Sequence, residues 1–122
     1  MDWASAATVM AWAGVAVTGG IAALCLRDPV AGLAFLTHRA EQLPLVMLDR
    51  YLAFFGFSVF ATLYGDLNVL IAWALALAFM ALVDAVIYAR LGKPYMKHLS
   101  GGVVALIAFA IFVAALKTNG AA

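Results

Sequence analysis

Charge is the scarcest property of this sequence, because only 11% of its 122 residues are Asp, Glu, Lys or Arg. An ordinary soluble domain carries about 25%. Hydrophobic residues make up 68% of the chain, and a water-soluble fold of this length would leave much of that apolar surface exposed. The scarcity of charge therefore indicates that lipid, rather than water, surrounds most of the chain.

Basic clusters and metal-ligand patterns are also missing. A formal net charge of +1 without a basic cluster excludes nucleic acid as a partner. His38 and His98 are far apart in the sequence, and the single cysteine, Cys25, has no second cysteine for a disulfide or a zinc site. Neither a phosphate-binding glycine loop nor a histidine pair for haem is present. We therefore predict no metal and no cofactor.

Four long apolar runs are what the sequence does contain. They cover residues 7–26, 45–64, 67–89 and 99–116, each close to the roughly 20 residues that a helix needs to cross the hydrocarbon core. In lipid a helix satisfies its backbone hydrogen bonds within its own segment, and these runs lack the alternation of barrel strands. We predict an all-α fold in which residues 1–122 form a single transmembrane domain, an antiparallel four-helix bundle.

The connector at residues 27–44 is long for a loop in a bundle. Asp28 followed by Pro29 is typical of a helix N-cap with proline in the first helical turn. Val30 and Leu33 then supply apolar side chains before the segment turns polar. We predict a short helix lying in the membrane interface, with an irregular loop over the lipid headgroups as the alternative.

The basic residues favour one side of this topology. Because cytoplasmic loops of membrane proteins are enriched in Lys and Arg, this side is predicted to be cytoplasmic and both termini to lie outside, as in a multi-pass protein of a bacterial inner membrane. Lys117 is the basic residue on the outer side, and the six on the cytoplasmic side are Arg27, Arg39, Arg50, Arg90, Lys93 and Lys97.

Small residues recur at helical spacing in three of the runs. Helices in lipid associate through close packing, which small side chains permit. We favour packing within the bundle as their role, with a dimer seam as the alternative. The stripes are Ala4, Ala7, Ala11, Gly14 and Thr18 in the first run, Ala74 and Ala78 in the third, and Gly101 and Ala105 in the fourth.

Ionisable residues within the runs are the candidates for chemistry. A charged side chain at the centre of a spanning helix costs about 2.5 to 3.5 kcal/mol, so such residues usually face a partner or a functional site. Asp84, His98 and Asp49 fall near the cytoplasmic end and are the candidate acids and bases. The candidate ligand-binding residues at the same end are Arg50, Tyr51, Tyr88 and Tyr95, with His38 of the connector as a lid residue.

A pocket made by these residues would suit a lipophilic small molecule whose polar head stays near the interface. The sequence leaves open whether catalysis follows binding. In the structural alternative, Asp84 and Arg50 form an ion pair that fixes helix register, and the protein is a non-catalytic accessory or assembly subunit of a membrane complex. An ion or proton pathway is disfavoured, because no acid or base continues towards the outer face. The predicted partners are membrane lipid, a lipophilic molecule, and a membrane protein or second copy.

Three segments, together with the order of the four runs, carry a resemblance to a known group of families. The segments are Asp28-Pro29-Val30-Ala31-Gly32-Leu33, Asp49-Arg50-Tyr51, and Leu82-Val83-Asp84-Ala85 through His98. The chain resembles the small DoxX-like and related bacterial four-helix membrane families over nearly its whole length. This resemblance implies a four-helix bundle, mostly without an assigned activity, although distant relatives of similar architecture act on lipophilic molecules such as terpenoids.

Two other families share the four-helix layout. The segment Arg39-Ala40-Glu41-Gln42-Leu43-Pro44 is similar to the start of the second helix in the glutathione-dependent eicosanoid enzymes, which would imply a glutathione-dependent membrane enzyme. The asparagine expected before that glutamate is absent. Small multidrug transporters carry a glutamate within their first helix. Residues 4–26 of this chain contain no acid, which disfavours that family.

Overall fold

The computed structural model describes residues 3–119, and the regular elements in this range are all helices. Side chains are described throughout it except at positions 3–5, 7–11, 14, 15 and 119. The helices are α1 (Trp3–Arg27), α2 (Pro29–Phe35), α3 (Leu43–Tyr64), α4 (Leu67–Arg90) and α5 (Met96–Asn119), with a 3-10 turn at Ala40–Gln42 before α3. The predicted all-α class is thus confirmed for the described residues.

Three helical stretches are long and apolar enough to cross a membrane. They are Ala40–Tyr64, Leu67–Arg90 and Met96–Thr118, and Ala16–Arg27 is a shorter apolar stretch of α1. Three of the four predicted runs therefore have the length and composition of a spanning helix. The fourth crossing stays a prediction.

The chain divides into two compact units, Met1–Arg50 and Tyr51–Ala122, which we call the first unit and the second unit. The first contains α1, α2 and the beginning of α3, and the second contains the rest of α3 with α4 and α5. The single domain expected from the sequence stays a prediction.

In the first unit, α2 folds back onto α1. Asp28 is the one residue between the two helices, and its Oδ1 accepts hydrogen bonds from the backbone N–H groups of Val30 and Ala31, each at 3.0 Å. Gly32 is buried against Cys25, so close that an added Cβ would lie 3.0 Å from the Cα of Cys25. In a continuous helix these two residues would be about 10 Å apart. The predicted short helix with its Asp28 cap is confirmed, while its place in a membrane interface stays a prediction.

The end of α2 has an unusual residue in its cap. Thr37 has φ 57°, its backbone N–H donates to the carbonyl of Ala34, and that of His38 donates to the carbonyl of Leu33, each at 3.0 Å. This pair of hydrogen bonds is a Schellman motif, which normally places glycine at the left-handed position. A β-branched residue there is strained.

The end of α4 repeats this motif without strain. Gly92 has φ 65°, its N–H donates to the carbonyl of Ala89 at 3.1 Å, and Lys93 N–H donates to that of Tyr88 at 2.9 Å. The short loop that follows returns the chain to α5.

Helices α4 and α5 pack antiparallel in the second unit. Gly102 is buried, and a Cβ added to it would lie 2.6 Å from Cδ2 of Leu82 and 3.4 Å from its backbone nitrogen. Ala74 and Ala78 of α4 are buried within the chain, as internal packing requires. Gly101 is exposed and the close contact is made by Gly102, so the role of the stripe of Gly101 and Ala105, in packing or in a dimer seam, stays a prediction. For the stripe of small residues predicted in α1, the structure does not describe the side chains at positions 4, 7, 11 and 14.

Helix α3 joins α4 through a turn at Gly65 and contacts it through aromatic rings. Trp73 of α4 lies 5.7 Å from Phe54 and 4.7 Å from Phe57 between ring centroids. Its Nε1 donates a hydrogen bond of 2.8 Å to Oγ of Ser58. The contact between α3 and α4 is therefore made by large side chains rather than by close backbones.

Large apolar side chains remain exposed along these helices. The buried hydrophobic residues among those described are all alanines: Ala61, Ala74, Ala78 and Ala85. Leu63 is 82% exposed and Phe79 is 67% exposed. A chain that buries so little of its apolar surface against itself needs an apolar environment or a partner.

Candidate functional site

The carboxylate of Asp84 on α4 and the imidazole of His98 on α5 lie close together in the second unit. Oδ2 of Asp84 is 3.7 Å from Nδ1 of His98. The ring of Tyr88, one helical turn after Asp84, lies 4.7 Å from the His98 ring between centroids. We refer to these three residues as the Asp84–Tyr88–His98 cluster.

Local structure explains why the cluster forms. Residues four apart share one face of a helix, so Asp84 and Tyr88 are presented together. The Schellman motif on Gly92 then ends α4, with Lys93 N–H bonded to the carbonyl of Tyr88. Because α5 runs antiparallel to α4, its first turn brings His98 against both side chains.

The cluster is open rather than enclosed. The side chain of Asp84 is 49% exposed and that of His98 is 32% exposed. A molecule approaching the surface of this unit can therefore reach both groups. Asp84, Tyr88 and His98 are therefore neighbours at an accessible surface of this unit, and their role as a functional site stays a prediction.

The geometry suits proton or hydrogen-bond exchange with a ligand. The separation of 3.7 Å between Oδ2 and Nδ1 exceeds a hydrogen bond, so the two side chains are neighbours without one. Nδ1 is the ring nitrogen beside the carboxylate, so Nε2 is the other nitrogen of His98 that a ligand could use. The Tyr88 hydroxyl can donate as well as accept.

Basic side chains surround this end of the second unit. Arg90 lies in the last turn of α4, Lys93 in the loop, and Lys97 directly precedes His98. All three are exposed. Cations gathered at one end attract an anionic or electron-rich group.

Two other predicted ligand-binding residues belong to the same unit. Tyr95 lies in the loop before α5, exposed, and its backbone carbonyl accepts the N–H of Leu99 at 3.0 Å. Tyr51 is exposed on α3 and packs edge-on against Phe54, with ring centroids 5.9 Å apart. No hydrogen bond or ring contact described for residues 51–118 joins either tyrosine to the cluster.

The remaining predicted residues belong to the first unit. His38 is half-buried, and its backbone N–H caps α2. Asp49 and Arg50 are exposed in the second turn of α3. Their convergence with the Asp84–Tyr88–His98 cluster stays a prediction, and so does the alternative ion pair between Asp84 and Arg50.

The first unit contains a feature that sequence reasoning missed. An open apolar groove of about 300 Å³ lies along α1 and is lined by Ala16, Val17, Gly20, Ile21, Leu24 and Phe35. It depends on the reversal of α2, which brings Phe35 back alongside α1. The available signal was Gly32, since a glycine within a seven-residue helix indicates a close backbone approach.

Within residues 3–119, no group of three His, Cys, Asp or Glu side chains is placed to hold a metal ion. No known protein family, characterised protein or solved structure shows significant similarity to the chain. Function is therefore inferred from the geometry within each of the two units.

Proposed function

We propose that the chain is a four-span integral membrane protein whose Asp84–Tyr88–His98 cluster binds the polar head of a lipophilic small molecule at the cytoplasmic face. One observation carries the binding proposal. Asp84 lies about 9 Å before Arg90 in an otherwise apolar helix, and its carboxylate is half exposed beside His98. Since a charge within a span is costly and His98 lies beyond hydrogen-bond distance, a polar ligand group would stabilise this position.

Support for membrane insertion comes from length and exposure together. Three helical stretches are long and apolar enough to span, and the described part of α1 continues the apolar character. Exposed residues such as Leu63 and Phe79 would lie against lipid chains. We take α1 as the fourth crossing.

Support for the orientation comes from the charges of the second unit. Arg90, Lys93 and Lys97 lie at the same end as the cluster, while Lys117 lies in the last turn of α5. By the excess of Lys and Arg in cytoplasmic loops, the cluster end is cytoplasmic and the membrane is of the bacterial inner-membrane type.

The ligand class follows from the surroundings of the cluster. A hydroxyl, carbonyl or amine head can exchange hydrogen bonds with Asp84, Tyr88 and His98. An apolar tail can lie along exposed hydrophobic side chains of α4 and α5. An acid–base step by Asp84 and His98 is chemically available to such a ligand.

Mass spectrometry of molecules that co-purify in mild detergent tests this function. We expect the wild-type protein to carry a lipophilic molecule, and Asp84→Asn to retain roughly tenfold less, because a hydrogen bond to a charged group contributes about 1.5 to 3 kcal/mol. His98→Gln should weaken retention in the same direction.

Asp66→Asn is the matched control. Asp66 caps α4 by accepting from Asn68 N–H and Val69 N–H, and asparagine caps helices equally well. This variant removes one acid from the opposite end of α4 and should retain the molecule. Equal retention by Asp84→Asn, or co-purification of a protein complex without a small molecule, would contradict the proposal and favour the accessory-subunit alternative.

A further inference from the structure

The apolar groove belongs to the first unit, and the function proposed for the Asp84–Tyr88–His98 cluster does not use it. Its six lining residues are all apolar, and the α1 residues among them extend from Ala16 to Leu24, about 12 Å along the helix. The groove is open above Gly20, since nothing lies within 4 Å of a Cβ built there. The groove therefore has the apolar lining and the length to take part of a hydrocarbon chain.

Two residues of opposite charge, Arg27 and Asp28, follow the last groove residue of α1, Leu24. Gly20, Leu24 and Arg27 are spaced four and three apart, so Arg27 continues the same face of α1 about one turn beyond Leu24. Arg27 is exposed. Asp28 follows directly, and both of its described hydrogen bonds use Oδ1, which leaves Oδ2 for another donor.

We propose that the first unit binds one phospholipid with a zwitterionic, phosphoethanolamine-type head group. One acyl chain lies in the groove, the phosphate pairs with Arg27, and the ammonium pairs with Oδ2 of Asp28. The proposal rests on the membrane location proposed above. It is a second site, which the cluster at Asp84 does not require.

Charge complementarity selects this lipid over an anionic one. A guanidinium and a carboxylate on neighbouring residues match a phosphate and an ammonium carried by one head group. A phosphoglycerol head has the phosphate without the ammonium, so Asp28 would repel it rather than bind it. We therefore expect the phosphoethanolamine lipid to bind about tenfold more tightly than the phosphoglycerol lipid of identical acyl chains, one charged contact being enough for that ratio.

Native mass spectrometry of the full chain in mild detergent measures this binding. The probes are phosphatidylethanolamine and phosphatidylglycerol with the same acyl chains, each titrated against the purified protein. Gly20→Leu fills the groove and should weaken phosphatidylethanolamine binding at least tenfold. Gly19→Leu is the matched control, because a Cβ at Gly19 also meets nothing within 4 Å but Gly19 does not line the groove.

Two further variants separate the head-group contacts. Arg27→Gln should weaken both lipids, since both carry a phosphate. Asp28→Asn keeps the helix cap and should abolish the preference for phosphatidylethanolamine. Equal binding of the two lipids by wild type, or equal effects of Gly20→Leu and Gly19→Leu, overturns the proposal.

Different results would refute the groove site and the proposed function. A chain that alkaline carbonate extracts from membranes would refute the membrane location itself. A chain that stays in the membrane, with unaltered lipid binding in Gly20→Leu, refutes only the groove site. Asp84→Asn should bind phosphatidylethanolamine as wild type does, and loss of binding in that variant places the lipid at the cluster and overturns the groove site.

Discussion

In each of the two units, a pair of helices packs closely at a buried glycine, Gly32 in the first unit and Gly102 in the second. The atoms that an added Cβ would contact differ between the two glycines. At Gly32, an added Cβ would lie 2.5 Å from Sγ and 3.0 Å from the Cα of Cys25. At Gly102, it would meet the branched end of Leu82 at 2.6 and 2.7 Å, with the nearest backbone atom at 3.4 Å. The first glycine meets both the side chain and the backbone Cα of its neighbour, whereas the second meets mainly a side chain.

This difference sets how each contact responds to substitution. A leucine side chain can change rotamer to relieve a clash, whereas a helix backbone moves only with its whole helix. The α1–α2 reversal should therefore tolerate less change than the α4–α5 packing, although α2 is the shorter helix.

Gly32→Ala should have the largest effect. We expect it to destabilise the docking of α2 by about 2 kcal/mol, since overpacking costs about 1 to 3 kcal/mol. Alkylation of Cys25 in detergent measures this, because undocking of α2 exposes the thiol and raises the labelling rate. Adding Cys25→Ala removes Sγ but leaves Cα in place, so thermal unfolding of the double variant should show partial rescue. Complete rescue would show that the contact is not made by the backbone.

Gly102→Ala should have a smaller effect, about 1 kcal/mol, measured by thermal unfolding in detergent. Leu82→Ala in the same chain should remove this penalty, because the clash is with the leucine side chain. Gly101→Ala is the control, since its Cβ would meet only that of Ala81 at 4.0 Å, and alanine favours the helix. If the Gly102→Ala, Leu82→Ala double variant is still less stable than Leu82→Ala alone, the contact at Gly102 is of the same kind as the contact at Gly32.

Thr37→Gly should have the smallest effect, and a stabilising one. The left-handed conformation of Thr37 costs about 1 to 2 kcal/mol, part of which glycine's greater freedom in the unfolded chain offsets. We expect a net gain of about 0.5 kcal/mol in α2 docking, again measured by Cys25 alkylation. Gly92→Ala at the matching position of α4 should destabilise the fold. A change in stability of the same sign for Thr37→Gly and Gly92→Ala would contradict the strain at Thr37.

Much of the helical architecture could be predicted from the sequence because apolar runs and caps are local signals. Residues 67–89 were predicted and α4 covers Leu67–Arg90, and Asp28 caps α2 as its position before Pro29 indicates. The proximity of Asp84 and His98 followed from a short link between antiparallel helices. These inferences need only the order of residues along the chain.

The remaining features depend on contacts that the sequence specifies weakly. Adjacent positions of a helix differ by about 100° in direction, so alanine-rich spacing could not separate Gly101 from Gly102. No local pattern indicated that Thr37 would take the place of glycine at the end of α2. The groove required the reversal of α2, a tertiary contact between Gly32 and Cys25.

The hydrogen bond between Trp73 and Ser58 gives α3 and α4 a defined sliding position. In water, an indole N–H that lost this acceptor would bond to solvent. Among the rings of Phe54 and Phe57, no such substitute is at hand, and an unsatisfied polar group in an apolar setting is costly. A shift of α3 by one residue along α4 would carry Ser58 out of reach of the indole. Breaking this single hydrogen bond costs free energy, so the bond opposes sliding of the two helices along each other.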